Sequence, residues 1–185
     1  MDLTASIFVG SMEWAYSPEW LASNSIGAIW CVVDRRSKHL GDIERLQREL
    51  LAKWSTMYPD RKPPTIIVGW SGHQRELNLD NAIDCIHAFI SHGDNVTIHC
   101  VSGVHRAGTA ATLYLCIGCD CRFETAVGIV SQHRDFQARG GRSLWDYVVD
   151  PPHVQGWAWL PARLGRRLAR DWCLVQDHGR GAHVA

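Results

Sequence analysis

One run constrains the chain more than any other: Val96-Thr97-Ile98-His99-Cys100-Val101-Ser102-Gly103-Val104-His105-Arg106-Ala107-Gly108-Thr109. Val96, Thr97 and Ile98 are β-branched and suit a short buried strand. The stretch over 108–117 has the composition of an apolar helix. The loop between carries Gly103 at its middle and ends on Arg106, at the start of that helix. Successive N–H groups of such a loop can curl into a cup for a tetrahedral oxyanion, and the helix N-terminus adds favourable partial charge. The same field favours the thiolate of Cys100, the nucleophilic form of the side chain. Arg106 can hold two phosphate oxygens with its planar fork, which Lys cannot do. The expected phosphate-binding positions are therefore Val101, Ser102, Gly103, Val104, His105 and Arg106. The competing reading is a buried cysteine in a glycine-containing strand–helix turn. Spacing alone does not decide between them, because Cys116 and Arg122 are equally far apart. Cys116, however, falls inside the expected helix rather than at a strand end.

The rest of the chain alternates strands and helices, the pattern of a layered α/β domain. Ser17-Pro18-Glu19 is a helix start, with Ser as cap and Pro at the first helical position, and the helix should end near Asn24. Strands follow over 26–33 and 65–68. Between them, residues 42–57 place Ile43, Leu46, Leu50, Leu51, Trp54 and Met57 on one helical face. The prolines over 59–64 break that helix, and residues 70–75 read as a loop. A second amphipathic helix over 79–90 turns Ile83, Ile86 and Ile90 inward. A last one over 124–134 carries Ala126, Val127 and Val130 on one face. The expected fold is a central mixed β-sheet flanked by helices.

Composition sets limits on partners. Of 185 residues, 46% are hydrophobic and 21% charged, and the formal net charge is zero, so nothing pulls the whole chain toward nucleic acid. No run is apolar and long enough for a bilayer span. The seven cysteines are odd in number and irregularly spaced, with no secretory signal ahead of them. Reduced thiols in an intracellular compartment, the cytoplasm foremost, are expected. Cys116, Cys119 and Cys121 form C-x2-C-x-C, and Cys173 lies far along the chain. A helix end and turn make a poor zinc knuckle, so these read as structural thiols with no metal or other cofactor.

Pro151-Pro152 marks a boundary. The expected division is a core over 1–150 and a tail over 151–185. The tail has five Arg and two Asp. Leu160, Leu164, Leu168 and Trp172 recur every fourth residue, with Arg163, Arg166, Arg167 and Arg170 between them. This is a basic amphipathic helix, expected to dock on the chain's own core or on a protein partner in preference to an acidic membrane.

The run from His99 to Thr109 resembles the signature HCxxGxxRxG of the cysteine-based protein tyrosine phosphatases. Ile7-Phe8-Val9-Gly10-Ser11 resembles the first strand of their dual-specificity branch, often LYLGS. Residues 26–33 resemble its second strand, and 112–149 its two closing helices, so the likeness covers roughly residues 5–150. By that resemblance Cys100 attacks phosphorus and forms a cysteinyl-phosphate, Arg106 binds the equatorial oxygens, and His99 orients and tunes the thiolate. A satisfied buried histidine at a strand end is the plainer reading of His99, and one residue can be both.

Two positions depart from the family pattern. Its general acid is an Asp on the loop that here reads Trp70-Ser71-Gly72-His73, and the matching position is Gly72. No Asp or Glu lies between Asp60 and Glu76. His73 is the candidate substitute, since a neutral-range histidine suits proton donation; its alternative is a solvated loop residue. Glu76 and Asp80 are weaker candidates, and Asp80 better suits a helix cap. Ala107 also stands where the family has a Ser or Thr hydroxyl, and Thr109 lies too far on to replace it. Val101 and Val104 are neutral where relatives acting on inositol phosphates carry Lys, which points to protein phosphoesters. Two functions follow: a slow phosphatase acting on phosphotyrosine, phosphoserine or phosphothreonine, or a catalytically impaired binding or accessory subunit that keeps the anion cup.

Overall fold

A computed structural model describes residues 5–33, 38–68, 79–103 and 106–133. Its elements in chain order are β1 (Ile7–Ser11), α1 (Met12–Ala15), α2 (Pro18–Ser23), β2 (Ile26–Cys31), α3 (Leu40–Met57), β3 (Thr65–Val68), α4 (Leu79–Ser91), β4 (Asn95–Cys100), α5 (Arg106–Ile117) and α6 (Phe123–His133). The four strands form one sheet in the order β1-β4-β2-β3. Every described pairing is parallel. The sequence led us to expect a mixed sheet; no antiparallel strand falls on the described residues.

Strand alternation divides the core into two layers. Ala28 and Trp30 of β2, with Val96, Ile98 and Cys100 of β4, pack with Ile83, Ile86, Ala110, Leu113, Tyr114 and Val130. That face is covered by α4, α5 and α6. Ile29 and Cys31 face the other way and pack with Tyr16, Leu21, Ile43, Leu50 and Trp54. β4 is an inner strand with a partner on each side, so both layers cover it, and residues 96–100 are all buried.

Local chemistry sets several boundaries. Ser17 accepts the Trp20 amide at 3.3 Å as the α2 cap, with Pro18 at the first helical position, and the helix stops at Asn24. α3 starts at Leu40, two residues before the expected Asp42. Its buried stripe is Ile43, Leu50 and Trp54, whereas Leu51 and Met57 are each 43% exposed. The expected face was therefore too wide, because a helix lying on one layer buries only part of its circumference. β2 ends at Cys31, although Val32 and Val33 continue the buried run. Among the described residues no helix is long and apolar enough to cross a membrane.

Candidate active site

β1 and β4 run side by side and end together, with Ser11 paired to Cys100. Cys100 is the last residue of β4 and is buried. The chain then turns back on its own nucleophile, so that the Gly103 amide donates to Cys100 Sγ at 3.2 Å. This donation sets a backbone N–H against the nucleophilic sulfur. Gly103 adopts φ +72°, and a Cβ there would fall on the Gly10 carbonyl and the Ser11 amide nitrogen. Glycine is thus required twice, by conformation and by packing. The Met12 amide donates to the Val101 carbonyl at 3.3 Å, which fastens the other side of the loop to α1.

α5 begins at Arg106, two residues earlier than the apolar composition suggested. Its first turn has no acidic residue, so nothing there opposes an anion at the helix N-terminus. Arg106 is half-buried at that terminus. The next residue, Ala107, is fully buried and offers no hydroxyl. The structure therefore brings Cys100, Val101, Ser102, Gly103 and Arg106 into one strand–loop–helix unit. Val104 and His105 lie outside the described residues, as do His73, Gly72, Glu76 and the side chain of Asp80.

His99 points to the opposite side of the sheet from Cys100. It is completely buried, and burial lowers its pKa from 6.5 to about 4, so the ring is neutral at physiological pH. Nε2 lies 3.0 Å from the Tyr16 hydroxyl, and Nδ1 lies 3.4 Å from the Cys100 carbonyl oxygen. A carbonyl only accepts, so Nδ1 carries the proton and Nε2 accepts from Tyr16. Both readings of His99 hold: it is a satisfied buried histidine, and it touches the backbone of the nucleophile.

Tyr16, Gln47 and Cys31 were not marked by the sequence. The Gln47 amide donates to the Tyr16 hydroxyl at 3.4 Å, and Cys31 is buried in the same cluster. Burial pushes the Cys31 thiol up to about 12 and the Tyr16 phenol higher than its ordinary range. The only sequence signal was a tyrosine beside Ala15 ahead of a capped helix.

Cys116, the partner in the second Cys-x5-Arg spacing, is buried inside α5, while Arg122 is exposed beyond its end. Cys119 is exposed and Cys121 half-buried. Among the described residues no cluster of three or more His, Cys, Asp or Glu is placed to hold a metal ion, and none of the six cysteines they include forms a disulfide. The tail residues Leu160, Leu164, Leu168 and Trp172 lie outside the described residues.

No family model matches the chain, and no curated protein matches it by sequence. Solved structures do match it. Human DUSP28 is 16% identical, with a TM-score of 0.51 over 76% of this chain and 86% of that one. A leucine rich repeat and phosphatase domain containing protein from Entamoeba histolytica is 19% identical, with a TM-score of 0.51 over 76% of this chain and 82% of that one. The fold is that of the cysteine-based tyrosine and dual-specificity phosphatases.

Proposed function

We propose that the chain hydrolyses protein phosphomonoesters through a cysteinyl-phosphate on Cys100. One observation carries this reading. The Cys100 sulfur ends an inner strand and is held by the Gly103 amide, in a loop that only glycine can close and that ends on Arg106 at a helix N-terminus. Cys100 Sγ attacks phosphorus while the bond from phosphorus to the leaving oxygen breaks. Arg106 and the loop amides take up the equatorial charge, which is greatest in the transition state. Water then cleaves the S–P bond and frees both Cys100 and inorganic phosphate. Neutral His99 cannot act as an acid here, because its two nitrogens are already engaged and buried.

The rate is limited by two absences. No carboxylate occurs between Asp60 and Glu76, and a missing general acid costs about 10²–10⁴-fold. Ala107 supplies no hydroxyl to the sulfur when the intermediate breaks down. Good leaving groups such as aryl oxides are therefore the favoured substrates. The same two features favour a second reading, in which the cup binds phosphorylated partners without turnover. Steady-state hydrolysis of an aryl phosphate separates the readings. Activity lost in both Cys100→Ser and Arg106→Ala supports the phosphatase. Equal background in all three proteins, with vanadate binding weakened in Arg106→Ala, supports the binding module.

A further inference from the structure

The side chain of Tyr16 stands between the nucleophile strand and α3. Its hydroxyl meets His99 Nε2 at 3.0 Å and Gln47 Nε2 at 3.4 Å. Its ring lies edge-on to the His99 imidazole, with centroids 5.0 Å apart and planes at 82°. Tyr16, Cys31 and His99 are all buried, so each polar atom must be satisfied from within.

Counting donors leaves one consistent arrangement. A tyrosine hydroxyl has one proton to give and two lone pairs to fill. The Gln47 amide fills one of the lone pairs. The Tyr16 proton then goes to His99 Nε2. His99 must carry its own proton on Nδ1, which faces the Cys100 carbonyl at 3.4 Å. That carbonyl belongs to the peptide that starts the anion loop.

We propose that Tyr16 is a positioning residue for the nucleophile: its hydroxyl, tethered by Gln47 of α3, holds the His99 ring at Nε2 and so keeps its Nδ1–H on the Cys100 carbonyl. The chain of contacts is Gln47, Tyr16, His99, Cys100, and it crosses the sheet from the α3 layer to the α5 layer. Its ends belong to different layers, so the loop is braced from the side opposite its ligand. The inference builds on the reading of Cys100 as nucleophile, but its test does not need turnover.

Removing the hydroxyl with Tyr16→Phe keeps the ring packing and leaves Nε2 without a donor. The Cys100 carbonyl still holds the proton on Nδ1, but the ring loses its tether at Nε2 and with it the fixed placing of that contact. Two measurements read this. Nitrogen NMR of the imidazole distinguishes the tautomers, and mass spectrometry of the Cys100 peptide gives its alkylation rate by iodoacetamide. The wild type should show the Nδ1–H tautomer alone. Tyr16→Phe should keep the Nδ1–H form and alkylate Cys100 about three- to tenfold more slowly. Gln47→Leu should keep the tautomer and slow alkylation less. An Nε2–H wild type overturns the proposal without any variant. An unchanged alkylation rate in Tyr16→Phe overturns it as well. A wild type that passes both tests yet hydrolyses no aryl phosphate refutes the phosphatase reading and leaves the positioning role standing.

Discussion

Lowering the pH should weaken the fold through His99, and the size of the effect follows from its burial. The ring is held neutral, with its pKa moved from 6.5 down to about 4 by burial. In the unfolded chain the same ring is protonated below about pH 6.5. Between those values the unfolded state binds a proton that the folded state refuses, so stability falls as pH falls. The contribution is complete above about pH 6.5, about 2 kcal/mol is lost by about pH 5, and about 3 kcal/mol is lost below about pH 4. The chain carries nine other histidines, so a control is needed. His99→Gln removes the titrating ring. Urea denaturation of both proteins at about pH 7.5 and about pH 5 isolates the term. The wild type should be the more stable at the higher pH, and its advantage should shrink by about 2 kcal/mol at the lower, or about 1 M in urea midpoint. Stabilities that fall in parallel would refute the reasoning, because they would mean that His99 takes its proton in the folded state.

Three further outcomes are expected. Gly103→Ala meets a left-handed backbone, worth about 1–2 kcal/mol, and places a Cβ on the Gly10 carbonyl, so vanadate affinity by calorimetry should fall at least about tenfold; wild-type affinity would show that the loop does not need its contact with β1. With no carboxylate over 61–75, the hydrolysis rate should depend steeply on leaving-group pKa and change little in Glu76→Gln or Asp80→Asn. A flat dependence abolished by Asp80→Asn would make Asp80 the acid, and a dependence steepened by His73→Ala alone would assign the role to His73. Deleting residues 151–185 should leave the core folded by circular dichroism, with loss of a co-purifying partner if Leu160, Leu164, Leu168 and Trp172 dock in trans, or aggregation if they dock in cis; failure to fold would place the tail within the core.

What the sequence reveals is mainly local. Ser17 with Pro18 marks the start of α2, the spacing of Ile83, Ile86 and Ile90 marks the inner face of α4, and the β-branched residues before Cys100 mark β4. Each of these depends on neighbours within a few positions. The site is legible to the extent that it is contiguous, from His99 to Arg106. Its supports are not contiguous. Tyr16 and His99 are 83 residues apart, and Gln47 lies 31 residues from Tyr16. They meet only because the order β1-β4-β2 places the α1–α2 corner against β4. Gly103 stands out as a glycine, but its contact with Gly10 depends on the pairing of Ser11 with Cys100, which no local pattern encodes. α1 has four residues and no side-chain cap, too little for periodicity to register. The width of the α3 face was misjudged for a related reason. Leu51 and Met57 fit the helical period, yet α3 rests on a single layer that fully buries only Ile43, Leu50 and Trp54 and leaves Leu46 half-covered.

The central claim is that Cys100 becomes covalently phosphorylated. Mixing the protein with an excess of an aryl phosphate, quenching in acid on the millisecond scale and mapping peptides by mass spectrometry tests it directly. The predicted result is one phosphoryl group on the Cys100 peptide, absent from Cys100→Ser and much reduced in Arg106→Ala. Release of the aryl alcohol at the wild-type rate with no phosphoryl group on Cys100, or equal release by Cys100→Ser, would contradict the account.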